Sequence, residues 1–143
     1  AWALYGYPMI YRFTKEQDIL DHAIGIAEYL LPRLPEDAIP YWDYDSPKIP
    51  NDVRDASSAA IMASGLIELS KYVDAEKSAR YLAAAEKMLR ALASDEYLVP
   101  EGEDYGFILR HSTGNMNKDS EVDVPLTYAD YYFLEALIRW RNL

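Results

Sequence analysis

The chain has 143 residues, half of them hydrophobic, enough for one domain with a core of its own. Its net charge of −10 offers no basic stripe to displace phosphate counterions, which disfavours nucleic acid, and no apolar run approaches the ~18 residues of a membrane span. With no cysteine and two histidines, His22 and His111, the chain excludes disulfides, thiolate catalysis and Cys-ligated metals; no cofactor motif is present, and the compartment is left open.

Five helical segments follow in order. The first spans about Ala1 to Thr14, with Trp2, Tyr5, Met9 and Phe13 at helical spacing. It begins inside its apolar pattern with no cap, the expected mark of a cut helix, and Pro8 in its middle predicts a kink. The second, about Lys15 to Pro32, carries the stripe Leu20, Ala23, Ile24, Ala27 and Leu31, with His22 read as a surface residue. A Pro- and Asp-rich loop runs from Leu34 to Val53. Asp55 is then a candidate cap for a third helix, about Ala56 to Tyr72, whose Ala59, Ala60, Ala63, Leu66 and Ile67 permit close approach by neighbours.

The fourth helix, about Ala75 to Ala93, is predicted to bury Ala79, Leu82, Leu89 and Leu92. A short extended run, Gly106 to Leu109, and a polar turn, His111 to Asp123, come next. Pro125 is expected to open the fifth helix, with the stripe Leu126, Ala129, Phe133, Leu137 and Trp140. Tight links alternate with long ones, the rhythm of helical hairpins with elaborated loops at one end.

Thirteen tyrosines and three tryptophans are the compositional excess, and such rings suit sugar faces as well as helix packing. Asp43 and Asp45 form a local carboxylate pair, a pattern that serves acid–base work but more often forms Asx turns. Arg54 and Asp55 read as a cap plus ion pair. Asp130 and Tyr131 either face inward or make structural hydrogen bonds.

Three separated stretches go beyond an all-helical reading: Ala1 to Tyr7 (AWALYGY), Pro40 to Pro47 (PYWDYDSP) leading into Arg54 to Ala60 (RDASSAA), and Ser120 to Leu137 (SEVDVPLTYADYYFLEAL). Together, in this order, they resemble glycoside hydrolase family 88, the unsaturated glucuronyl hydrolases, over the C-terminal part of a typical member. The family's motif Arg-Gly-Gln-Ala-Trp would begin here at its Ala, keeping Trp2, and Pro8 departs from the family's usual helix.

The resemblance implies an all-α chain forming part of an (α/α)6 barrel, as a single domain over residues 1–143. It implies as substrate an oligosaccharide released by a polysaccharide lyase and ending in an uronate unsaturated between C4 and C5. An Asp protonates that vinyl ether, water adds at C5, and the resulting hemiketal opens. The acid and its partner Asp belong upstream in the family, so no catalytic residue is assigned to this chain. Trp2 matches a residue lining the sugar pocket. In relatives that take sulfated sugars, the turn corresponding to His111–Ser120 holds the sulfate, which makes His111, Asn115, Lys118 and Ser120 the binding candidates. Exposed barrel flanks would favour homo-oligomers. Two rival readings stand beside this one: a helical-repeat interaction module without catalysis, and an unsaturated rhamnogalacturonyl hydrolase of the related family.

Overall fold

A computed structural model describes residues 1–103 and 106–143. It contains α1 (Trp2–Thr14), α2 (Gln17–Leu30), α3 (Ala56–Leu69), α4 (Ala75–Leu92) and α5 (Thr127–Arg141), with short 3-10 turns at Leu31–Arg33 and Met116–Lys118. Among the described residues there is no strand, only isolated bridges; the extended run ending at Leu109 pairs at one point, with Leu98. No helix among the described residues is long and apolar enough to cross a membrane.

Helices α1, α3 and α5 stand in a row with α3 in the middle, while α2 folds back on α1 and α4 on α3. The sequence explains why α3 takes the centre. Its Ala, Ser and Gly side chains let neighbours approach on every side, and all its residues except Ser58 are buried. The closest approach is at Gly65, where an added Cβ would lie 2.7 Å from the Leu4 carbonyl oxygen of α1. That oxygen is free because Pro8, four residues on, has no N–H to offer it.

Helix α1 is continuous across Pro8, and Pro8 and Leu4 form its buried face. The expected stripe is corrected accordingly: Trp2 and Phe13 are among the most exposed apolar side chains, since the seam with α3 selects residues 4 and 8. In α4 the buried positions are Tyr81, Ala85, Met88, Leu89 and Leu92, while Ala79 is exposed. In α5, Ala129, Phe133 and Ala136 are buried and Leu137 is not. Pro125 does not open α5. Both backbone polar groups of Val124 are engaged with Ser112 (2.9 and 3.0 Å), which holds the chain extended until the helix starts at Thr127.

A polar net ties the row together in its lower half. Glu68 of α3, almost fully buried, pairs with Arg139 of α5 at 2.8 Å and Arg12 of α1 at 3.5 Å. Glu135 accepts from Tyr5 of α1 (3.2 Å) and Ser64 of α3 (2.5 Å), and Arg139 reaches it at 3.3 Å. Burial, reinforced by Glu135, pushes the Tyr5 phenol up to about 12.

Candidate functional site

The three row helices begin at the same end. Trp2 in the first turn of α1 touches Tyr128 in the first turn of α5, with ring centroids 5.7 Å apart, and meets Tyr132 edge to face at 5.3 Å. Tyr132 in turn meets Tyr5 at 4.9 Å and Tyr131 at 5.0 Å. The indole is thus braced by two tyrosines yet stays 55% exposed, the condition for stacking on a planar or pyranose partner. Burial holds the Tyr128 phenol above its ordinary value; Ser57 opposes the rise, and Asp55 and Glu121 add to it.

Asp55 caps α3 from an extended backbone, and only 5% of it is exposed. Its Oδ1 accepts from the backbone N–H of Ser57 (3.0 Å), the Ser57 hydroxyl (2.5 Å) and the backbone N–H of Thr113 (3.2 Å); its Oδ2 accepts from Ser58 (2.6 Å). Thr113 Oγ1 donates back to the carbonyl of Arg54 at 3.0 Å, and the N–H of Ala56 donates to the His111 carbonyl at 3.0 Å. The 111–124 turn is therefore fastened to the first turn of α3. The Arg54 guanidinium pairs with Asp37 at 2.9 Å and lies over the Tyr41 ring.

Above this anchorage the turn closes on itself. Ser112 pairs with Val124 and Asn115 with Ser120, and the N–H of Gly114 donates to the Glu121 carbonyl at 2.7 Å. The Asn115 carbonyl accepts from the N–H groups of both Lys118 and Ser120, each at 3.2 Å. Lys118 and Ser120 are exposed at the tip, and Asn115 is half-buried. Among the described residues Lys118 makes no ion pair, which leaves its ammonium available to an anion.

The structure thus brings Asn115, Lys118 and Ser120 together on one turn. Trp2 joins them at the same end of the row through Tyr128, whose phenol lies in the field of Glu121. His111 is set apart. It sits at the base of the turn with a left-handed backbone (φ 63°), and its Nδ1 lies 2.6 Å from Asp123. It lines a crevice of about 220 Å³ with Val53, Arg54, Glu96, Tyr97 and Asp123, which includes none of the other four candidates.

Other sequence candidates resolve into structural roles. The N–H of Asp45 donates to Asp43 Oδ1 at 3.0 Å, an Asx turn. Asp130 accepts from the N–H groups of Ile108 (3.1 Å) and Leu109 (2.9 Å), pinning that segment on α5. Tyr131 is exposed beside Leu134 and Ile138. His22 is at the surface, stacked on Tyr7. Sequence reasoning missed Tyr128 and Tyr132 as the supports of Trp2, although their four-residue spacing on a helix was a signal.

No family model matches the chain. Individual proteins do. An unsaturated glucuronyl hydrolase of Formosa agariphila is 45% identical over 145 aligned positions, covering 100% of this chain and 36% of that protein. A crystal structure of an unsaturated glucuronyl hydrolase specific for heparin superposes with a TM-score of 0.94 at 46% identity, covering 99% of this chain and 38% of that one. The chain belongs to the unsaturated glucuronyl hydrolase family.

Its row of three helices backed by two is accordingly a part of an (α/α)6 barrel, and it spans about 36% of the length of the curated relatives it matches. Two further relatives match at lower identity. An unsaturated chondroitin disaccharide hydrolase of Streptococcus pyogenes is 36% identical over 98% of this chain and 35% of its own length. A mutant unsaturated glucuronyl hydrolase of Streptococcus agalactiae, complexed with dGlcA-GalNAc6S, superposes with a TM-score of 0.88 at 34% identity, covering 97% of this chain and 37% of that one.

Proposed function

We propose that this chain is the C-terminal, substrate-holding part of an enzyme that removes 4,5-unsaturated uronate from oligosaccharides left by a polysaccharide lyase. The observation that carries the reading is the exposed Trp2, braced by Tyr128 and Tyr132 where the row helices begin, in a chain whose relatives are named for unsaturated glucuronyl and chondroitin substrates. A helical-repeat interaction module would leave that end-to-end likeness unexplained.

In this reading Trp2 stacks on a sugar ring, and the tip of the 111–124 turn meets the adjoining sugar. Lys118 and Ser120 supply a cation and a hydroxyl for an anionic substituent, and Asn115 supplies an amide. The substrate's vinyl ether takes a proton at C4 and water adds at C5; the hemiketal then opens, releasing the shortened sugar and a keto-uronate. Protonating an alkene near neutral pH requires a carboxylic acid kept partly protonated by burial or by a like charge nearby. The Asp43–Asp45 pair is exposed and lacks the burial for that task. The acid belongs to the remainder of the enzyme.

The test is turnover by the full-length enzyme of unsaturated disaccharides made with a chondroitin or heparin lyase, followed as loss of the ultraviolet absorbance of the conjugated acid. Loss with at least one uronate substrate is expected. No loss with any of them overturns the proposal.

A further inference from the structure

We infer that Asp55 is a positioning residue for substrate recognition: one buried carboxylate that fixes the 111–124 turn relative to the Trp2–Tyr128 platform. The inference rests on the proposed function, since it assigns both walls to one sugar-binding site.

Four hydrogen bonds converge on this carboxylate, more than a helix cap requires. Two go to α3's own first turn through Ser57, and one to the hydroxyl of Ser58. The fourth crosses to Thr113, 58 residues along the chain, and comes from a backbone N–H buried beside it. That donor has no substitute. If Asp55 is truncated, the Thr113 N–H is left unpaired in a site only 2% exposed, and the turn must shift to find water. Thr113 Oγ1, bonded to the Arg54 carbonyl, doubles the tie.

The same carboxylate controls the other wall. It holds the Ser57 hydroxyl, which lies against the phenol of Tyr128, and Tyr128 in turn supports the indole of Trp2. Loss of Asp55 therefore frees the turn tip and the stacking platform to move independently of each other. A substrate spanning both would lose alignment, while an acid lying elsewhere in the enzyme would keep its own surroundings.

Asp74 provides the control. It caps α4 in the ordinary way, accepting from the N–H of Lys77 at 2.9 Å, and it touches neither wall. The experiment compares the full-length wild type with Asp55→Ala, Asp55→Asn, Thr113→Val and Asp74→Ala on one lyase-generated unsaturated disaccharide, with melting temperature measured for each. The expected result is KM raised about tenfold or more in Asp55→Ala with kcat within about threefold, the signature of lost binding rather than lost chemistry. Asp55→Asn keeps an acceptor for the backbone donors and recovers most of KM. Thr113→Val, nearly isosteric and able to fold where Asp55→Ala does not, raises KM in the same direction. Asp74→Ala lowers the melting temperature and leaves KM alone. The inference is overturned if Asp55→Ala and Asp74→Ala differ only in melting temperature, or if kcat falls with KM unchanged. Absence of turnover in the wild type would instead remove the functional reading beneath it.

Discussion

Replacing Gly65 with alanine probes the seam on which the row of helices is built. In an exposed helix the change stabilises by up to about 1 kcal/mol, because glycine is the more flexible residue. Here the new methyl would lie 2.7 Å from the Leu4 carbonyl oxygen, 3.0 Å from its carbon and 3.0 Å from the Tyr5 Cα. All three are backbone atoms, so no side chain can swing aside. Carbon–oxygen contacts of this kind settle at roughly 3.3 Å or more, so α1 must retreat from α3 by about 0.6 Å. Overpacking on that scale costs about 1–3 kcal/mol, which exceeds the propensity gain. A net loss of about 1–2 kcal/mol is expected, read as a lower urea midpoint at unchanged slope when helicity is followed by circular dichroism. A variant as stable as the parent, or more so, would refute the claim that this glycine sets the helix separation.

Arg139→Met leaves the buried Glu68 with the distant, half-exposed Arg12 as its cation and a long hydrogen bond from the Tyr72 hydroxyl, and should cost about 3–5 kcal/mol; a loss below about 1 kcal/mol in the same assay would show the net to be dispensable. Trp2→Ala in the full-length enzyme removes the stacking face and should raise KM for an unsaturated disaccharide up to about tenfold, with kcat little changed; an unaltered KM would remove Trp2 from the site. Burial pushes Tyr5 and Tyr97 up to about 12, and Tyr44 and Tyr81 higher still. A phenol whose pKa is raised on folding contributes stability that is complete below its unfolded value of about 10 and is lost as pH rises towards the folded value. Unfolding is therefore expected between about pH 10 and 12, with late-titrating tyrosines released together in tyrosinate absorbance. A single smooth titration of all thirteen near pH 10 would contradict this.

Much of this architecture was legible in the residues. The α3 stripe, the Asp55 cap and Leu20, Ala23 and Ala27 of the α2 stripe follow from local spacing and reappear in the structure, although in α2 Leu30 is buried and Ile24 and Leu31 are only partly so. The misreadings share a physical cause: the deciding contact lay far away in sequence. A helical pattern presented Trp2 and Phe13 as readily as Leu4 and Pro8, and it was Gly65 on another helix that chose between them. Pro125 had the chemistry of a first-turn residue, but the bridge from Ser112 held its neighbour extended. His111 shares a turn with Lys118, yet its left-handed backbone and its bond to Asp123 go with the crevice beneath that turn. Glu68 was not singled out from the sequence, and nothing local identifies Arg139, 71 positions away, as its partner.

The polar net between Glu68, Glu135 and Arg139 also settles the vertical alignment of the helices. Alanine-rich surfaces are smooth along their axes, so sliding one helix past another by a turn of about 5.4 Å sacrifices little dispersion energy. Such a slide would carry Ser64 and Tyr5 away from Glu135 and part Glu68 from Arg139, its nearest cation. Shifted packings thus leave charges stranded in a dry interior, and the chain is confined to the one alignment in which the first turns of α1 and α5 meet.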